Sequence, residues 1–112
     1  MKKVAVPVAG GTLCMHFGHC ERFVVMDVDE SGAVLAKEEL TPPPHEPGVL
    51  PAWLHSLGVA HIIAGGMGAR AREIFAGNGI TVTVGAPSEP PEALAAAYMR
   101  GTLADGDNVC DH

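Results

Sequence analysis

The strongest constraint on this chain is an alternation that begins at Val49. Segments with helical spacing and short β-branched runs follow one another, and glycine or proline marks each change. Val49, Leu50, Trp53, Leu54 and Leu57 fall at helical spacing, with Gly58 as the stop signal. Val59-Ala60-His61-Ile62-Ile63-Ala64 then reads as a buried strand. Gly65-Gly66-Met67-Gly68 opens a second helix whose apolar face is Ala71, Ile74 and Phe75, and Gly77-Asn78-Gly79 ends it. Ile80-Thr81-Val82-Thr83-Val84 is the next strand. Ser88-Glu89-Pro90-Pro91-Glu92 starts a third helix, with Ser88 as candidate cap and Leu94, Ala97, Tyr98 and Leu103 along it. Strands alternating with helices predict parallel neighbours joined by right-handed crossovers, hence an α/β fold.

The first forty residues add strands without helices. Val4-Ala5-Val6-Pro7-Val8 reads as the first strand and Gly10-Gly11-Thr12 breaks it into a loop. Phe23 to Val28 resumes strand character, Asp29-Glu30-Ser31-Gly32 is a turn cluster, and Ala33 to Leu40 returns as a hairpin strand. Its ragged alternation suits a sheet edge. Thr41 to Gly48, with four prolines, is a stiff extended loop. The expectation is a mixed, five-stranded, mostly parallel sheet with helices on both faces. At 112 residues the chain is read as one domain, 1–112, with 105–112 a mobile polar tail. Ligands of such sheets collect at the carboxyl ends of the parallel strands. The loop after the first strand and the Gly65–Gly68 turn are therefore expected at one edge.

That first loop carries the densest chemistry in the sequence. Cys14-Met15-His16-Phe17-Gly18-His19-Cys20 places two thiols and two imidazoles within seven residues. Soft sulfur and borderline nitrogen donors suit zinc, copper, iron or an iron–sulfur assembly, and not magnesium or calcium. The spacing of Cys14, His16, His19 and Cys20 does not match the C-x-x-C pattern of a closed zinc knuckle. The same residues also suit a loop of half-buried cysteines and surface histidines. His45, in the proline loop, and Cys110 and His112, in the tail, are further candidate ligands. Gly65, Gly66, Met67 and Gly68 offer backbone N–H groups at a helix N-terminus, which hold anions, and Arg70 adds positive charge. Tight strand–helix packing explains those glycines equally well. Gly10, Gly11, Thr12, Phe17 and Gly18 complete the candidate contacts to a bound group. His61 reads as packed or hydrogen-bonded in its strand, and His55 as solvated.

Composition removes other classes. Thirteen acids against seven bases give a net charge of −6, and no Lys/Arg run offers a nucleic-acid footprint. The longest apolar runs are about five or six residues, against the ~20 of a membrane span. The opening Met1-Lys2-Lys3 is not a secretory leader, and three cysteines do not make a disulfide framework, so a cytoplasmic protein is expected. No nucleophile–base arrangement or set of converging carboxylates supports catalysis, and the chain is read as a non-enzyme.

Three motifs in order give the sequence a family likeness. His16-Phe17-Gly18 follows the first strand, Gly65-Gly66-Met67-Gly68-Ala69-Arg70-Ala71 opens a helix, and Asn108-Val109-Cys110-Asp111-His112 ends the chain. With Val49-Leu50-Pro51-Ala52-Trp53-Leu54, these resemble the dinitrogenase iron–molybdenum cofactor biosynthesis family, the small NifX-like and NifB C-terminal-like proteins. The resemblance implies a ribonuclease H-like, three-layer fold. It further implies binding, carriage or assembly of an iron–sulfur or molybdenum-containing cluster, with orange-protein relatives similar in carrying a molybdenum–copper sulfide. Cluster donor and acceptor proteins would be the partners of a monomer or homodimer. The family pattern does not fix Cys14 and Cys20, so thiolate ligation there is this sequence's own suggestion. Two alternatives remain: a cluster-free regulatory or protein-interaction module of the same fold, and mononucleotide binding at the Gly65–Gly68 turn.

Overall fold

The computed structural model describes residues 2–13, 22–41, 49–66, 69–86 and 89–101. Strand β1 (Lys2–Ala9) lies at the centre, and Val4 to Val8 are all buried. An unbroken apolar run of this kind is what a strand needs when both its faces are covered. A two-residue turn at Gly10 and Gly11, with φ of 64° and 87°, folds β2 (Thr12–Leu13) back on β1, pairing Val8 with Leu13. Positive φ at both central positions gives the turn the twist a tight hairpin requires.

On one side of β1 runs β3 (Arg22–Val28), antiparallel, followed by β4 (Val34–Leu40) at the sheet edge. On the other side run β5 (His61–Ile63) and β6 (Thr81–Thr83), both parallel to β1. The spatial order is β4-β3-β1-β5-β6, with β2 an extra partner of β1. The sheet is mixed, as expected, but it is not mostly parallel, and β2 makes a sixth strand. β3 starts beside the end of β1, with Arg22 opposite Val8, and therefore returns antiparallel along it.

Successive strand residues face opposite layers. Ala5, Phe23, Val25 and Ile62 pack with Leu50 and Leu54 of α1 (Val49–Ser56) and Phe75 of α2 (Ala69–Gly77). Val4, Val6, Val24, Met26 and Ile63 pack with Leu94 and Ala95 of α3 (Pro91–Arg100). The result is a three-layer α/β domain. Trp53 closes the first layer edge-on to Phe23, with centroids 5.8 Å apart and planes at 74°.

Helices α1 and α2 end in the same way. After α1 the Val59 N–H donates to the Leu54 carbonyl (3.1 Å) and the Gly58 N–H to that of His55 (3.0 Å). After α2 the Ile80 N–H donates to Phe75 and the Gly79 N–H to Ala76, both at 3.0 Å. Gly58 and Gly79 have φ of 83° and 75°, and each is followed by a buried apolar residue facing the helix it closes. This paired-bond ending sends the chain straight into the next strand. Helix α3 begins at Pro91 with Pro90 at the cap position and no side-chain cap bond, and Ser88, the expected cap, lies outside the described residues. It stops at Arg100, and Leu103 lies outside the described residues.

Candidate functional site

The carboxyl ends of β1 and β5 lie side by side. Val4 pairs with His61 and Ala5 with Ile62, so the chain leaving β5 toward Gly65 runs alongside the end of β1, where Val8 pairs with Leu13 across the hairpin. The Leu13 N–H donates to the Glu89 carbonyl at 3.0 Å, tying β2 to the segment that enters α3. The Gly65 carbonyl accepts from the Gly85 N–H at 2.9 Å, and the Ala64 N–H donates to the Thr83 carbonyl at 2.8 Å. Backbone bonds thus tie the end of β5 to the end of β6, and β2 to the segment entering α3, and these ends form the rim at the carboxyl end of β1. From this rim the chain departs into 14–20 after Leu13 and into 67–68 after Gly66.

Gly65 and Gly66 are both buried, and among the described residues no partner accepts from either amide. Backbone amides that lead into a helix N-terminus are suited to an acceptor. The first turn of α2 holds no acidic residue, which leaves the positive end of its dipole uncompensated there. Arg70 is exposed in that turn.

The sequence-predicted residues divide as follows. Gly10 and Gly11 form the exposed hairpin turn, and Thr12 belongs to β2, not to an open loop. Gly65, Gly66 and Arg70 stand at the rim. Cys14, His16, Phe17, Gly18, His19, Cys20, His45, Met67, Gly68, Cys110 and His112 lie outside the described residues. Among the described residues no group of three or more His, Cys, Asp or Glu is placed to hold a metal ion.

The described chain ends at the opposite end of α3 from this rim. Helix α3 runs from Pro91, beside Glu89, to Arg100, whose Nε donates to the Ser31 carbonyl at 3.1 Å in the turn joining β3 to β4. That turn lies at the amino end of β1, where Lys2 pairs with Val28. Eight residues of β1 separate the two ends, roughly 25 Å at strand rise.

One buried constellation was not evident in the sequence. His61 is 3% exposed, with its Nε2 2.8 Å from the Thr83 hydroxyl and its Nδ1 on the Thr81 hydroxyl. Its ring stacks on Tyr98, centroids 3.9 Å apart and planes 8° from parallel, and Lys2 Nζ donates to the Tyr98 hydroxyl at 3.0 Å. Burial, and secondarily the Lys2 ammonium, pushes the His61 pKa down to about 4. The imidazole is neutral at physiological pH and serves packing, as its strand position suggested. His55 is exposed on α1. The spacing of Thr81 and Thr83 was readable as strand alternation, but their pairing with His61 depends on β5 and β6 being neighbours.

Comparisons with known proteins agree with this architecture. The sequence model of the family described as dinitrogenase iron-molybdenum cofactor matches residues 1–101. The crystal structure of PH0822 is similar over 92% of this chain and 93% of that one, at 28% identity and a TM-score of 0.82. A Thermotoga structure named as a NifB protein is 25% identical over 94% of this chain and 93% of that chain, with a TM-score of 0.68. The apo orange protein of Desulfovibrio gigas shares the fold at 21% identity, covering 96% of this chain and 95% of its own, with a TM-score of 0.76. No curated protein matches the sequence. The chain belongs to the dinitrogenase iron-molybdenum cofactor family.

Proposed function

We propose that this member of the dinitrogenase iron-molybdenum cofactor family binds and carries an iron–sulfur or molybdenum-containing sulfide cluster, as cargo received from one protein and passed to another. Cys14, His16, His19 and Cys20 are the primary ligands, with His45, Cys110 and His112 as further donors. Thiolate and imidazole are the donor types that iron, copper and sulfide-bridged clusters take. The observation that carries the reading is the rim itself. Leu13, which leads into the donor run, and the buried Gly65–Gly66 amides, which lead into α2, are held at one end of the sheet. Sulfide clusters are commonly anionic. Amides without partners among the described residues, and a helix start free of acid, complement that charge in a chain whose net charge of −6 opposes it. Gly10, Gly11, Thr12, Phe17, Gly18, Met67, Gly68 and Arg70 frame the site. The role is carriage within the cytoplasm, on a ribonuclease H-like scaffold, without catalysis.

Anaerobic reconstitution tests this. The full chain is incubated with iron and sulfide, and separately with molybdate, copper and sulfide, then desalted for absorption spectra and metal counting. A stable chromophore and stoichiometric metal are expected, with both reduced at least about tenfold in the Cys14→Ser/Cys20→Ser variant, since loss of ligands or their supports costs affinity on that scale. Absence of metal and sulfide under both conditions would remove the proposal.

A further inference from the structure

The two edges of the sheet are built differently. Edge strand β4 exposes Lys37, Glu38 and Glu39, and its pairing with β3 shifts register between Asp27 and Val28. Charge and irregularity are the usual protections of an edge against strand addition. Edge strand β6 has neither: its residues are Thr81, Val82 and Thr83. The Thr81 N–H donates to Ala60 (3.1 Å) and the Thr83 carbonyl accepts from Ala64 (2.8 Å), so these residues direct their backbone groups at β5. Strand geometry alternates, and the Val82 N–H and C=O point to the open side. Among the described residues nothing pairs with them.

Beside this edge lies an open groove of about 680 Å³ between α2 and β6, lined by Ala69, Arg72, Glu73 and Ala76 of the helix and by Ile80 and Val82. All four helix residues are exposed, and their spacing puts them on one stripe. The order of that stripe carries a symmetry. Ala69 and Ala76 are centred between residues 72 and 73, and so are Arg72 and Glu73. Set antiparallel against its own copy, the stripe puts alanine opposite alanine and arginine opposite glutamate. A two-fold axis at the sheet edge pairs Val82 with Val82 in the same operation.

The geometry points to a homodimer formed by antiparallel β6–β6 pairing, with the α2 stripes facing each other across the axis and Arg72 of each copy paired with Glu73 of the other. Such an isologous contact makes one continuous sheet of two chains. It is independent of cluster binding. Three-residue strands and one helix stripe bury little, below roughly 1,200 Å², so the dimer is weak and exchanges.

Sedimentation velocity on the full chain, from roughly 10 μM to 1 mM, tests it over the range where such contacts associate. A reversible rise from monomer to dimer is expected. Arg72→Glu sets like charges against each other across the axis and should weaken association about tenfold or more. Arg72→Glu/Glu73→Arg restores the pairing and should return association to within about threefold of the starting chain. Val82→Pro removes the outward N–H, which β5 does not use, and should abolish the dimer. The charge variants sit at exposed helix positions and keep the test decisive if the proline variant folds poorly. A chain that stays monomeric throughout overturns the inference, which would also be the outcome if its own tail or a different protein occupies the groove. A dimer indifferent to Arg72→Glu, or one that the double exchange fails to restore, overturns it equally.

Discussion

Acidification should destabilise this protein through His61. The buried ring is neutral in the native state with its pKa lowered to about 4, against 6.5 for the free side chain. The cause is first burial, then the Lys2 ammonium. Loss of hydrogen bonds is not the cause, because both threonine hydroxyls can accept from a doubly protonated ring. Below pH 6.5 the unfolded chain takes a proton at this position and the native chain does not. Stability contributed by neutral His61 is therefore complete above pH 6.5 and falls as the pH drops toward 4. At pH 5 the two values give a loss of about 2 kcal/mol, within a ceiling of about 3 kcal/mol once both states titrate. Urea unfolding at pH 7.5, 6, 5 and 4.5 measures it, with His61→Gln as the reference for every other titrating group. The wild type should lose about 1–2 kcal/mol more than His61→Gln between pH 7.5 and 5. Identical pH dependence in the two chains would refute the reasoning. It would mean that the ring is charged in the folded protein or exchanges freely with water.

Two further outcomes follow from the packing. Gly58 and Gly32 both have positive φ, 83° and 92°, but a β-carbon at Gly58 meets nothing within 4 Å whereas at Gly32 it comes 3.1 Å from the Ala96 carbonyl and 3.0 Å from Arg100 Nε. Gly58→Ala should cost about 1 kcal/mol from backbone conformation alone, and Gly32→Ala more, because α3 must shift as well; thermal melts ordering them the other way would contradict this. Leu54 is fully buried between α1 and the sheet. Leu54→Ala should cost about 2–5 kcal/mol in denaturant unfolding, and a loss under about 1 kcal/mol would show that this layer is not close-packed.

Much of the architecture was legible because its signals are local. Leu50, Leu54 and Phe75 fell at helical spacing, Gly58 and Gly79 marked the ends of their helices, and the raggedness of 33–40 identified an edge strand. The mostly parallel sheet was an over-reading. It weighted the helix–strand alternation of the second half and gave too little to the first forty residues, where β2, β3 and β4 all pair antiparallel. The Gly10–Gly11 hairpin was missed for a related reason: two glycines signal a break in a strand, and only pairing with Val8 and Ala9 shows that the chain turns back. Of the candidate site, the convergence of Leu13 with Gly65 and Gly66 followed from sheet topology. The Cys14–Cys20 run lies beyond the described residues, and its ligand role stands as a proposal.

By itself, then, the amino-acid order determined the elements, the layers and a set of soft donors, because periodicity, turn chemistry and donor type are properties of near neighbours. Only the tertiary structure decided which segments meet. It set the parallel ends of β1 and β5 side by side and carried α3 from Glu89 toward the turn between β3 and β4. It also buried His61 between Thr81, Thr83 and Tyr98, and set β6 at the edge of the described strands beside a self-complementary stripe. These relations come from strand register and crossover direction, which follow from how the whole sheet buries both faces and not from any one stretch of sequence.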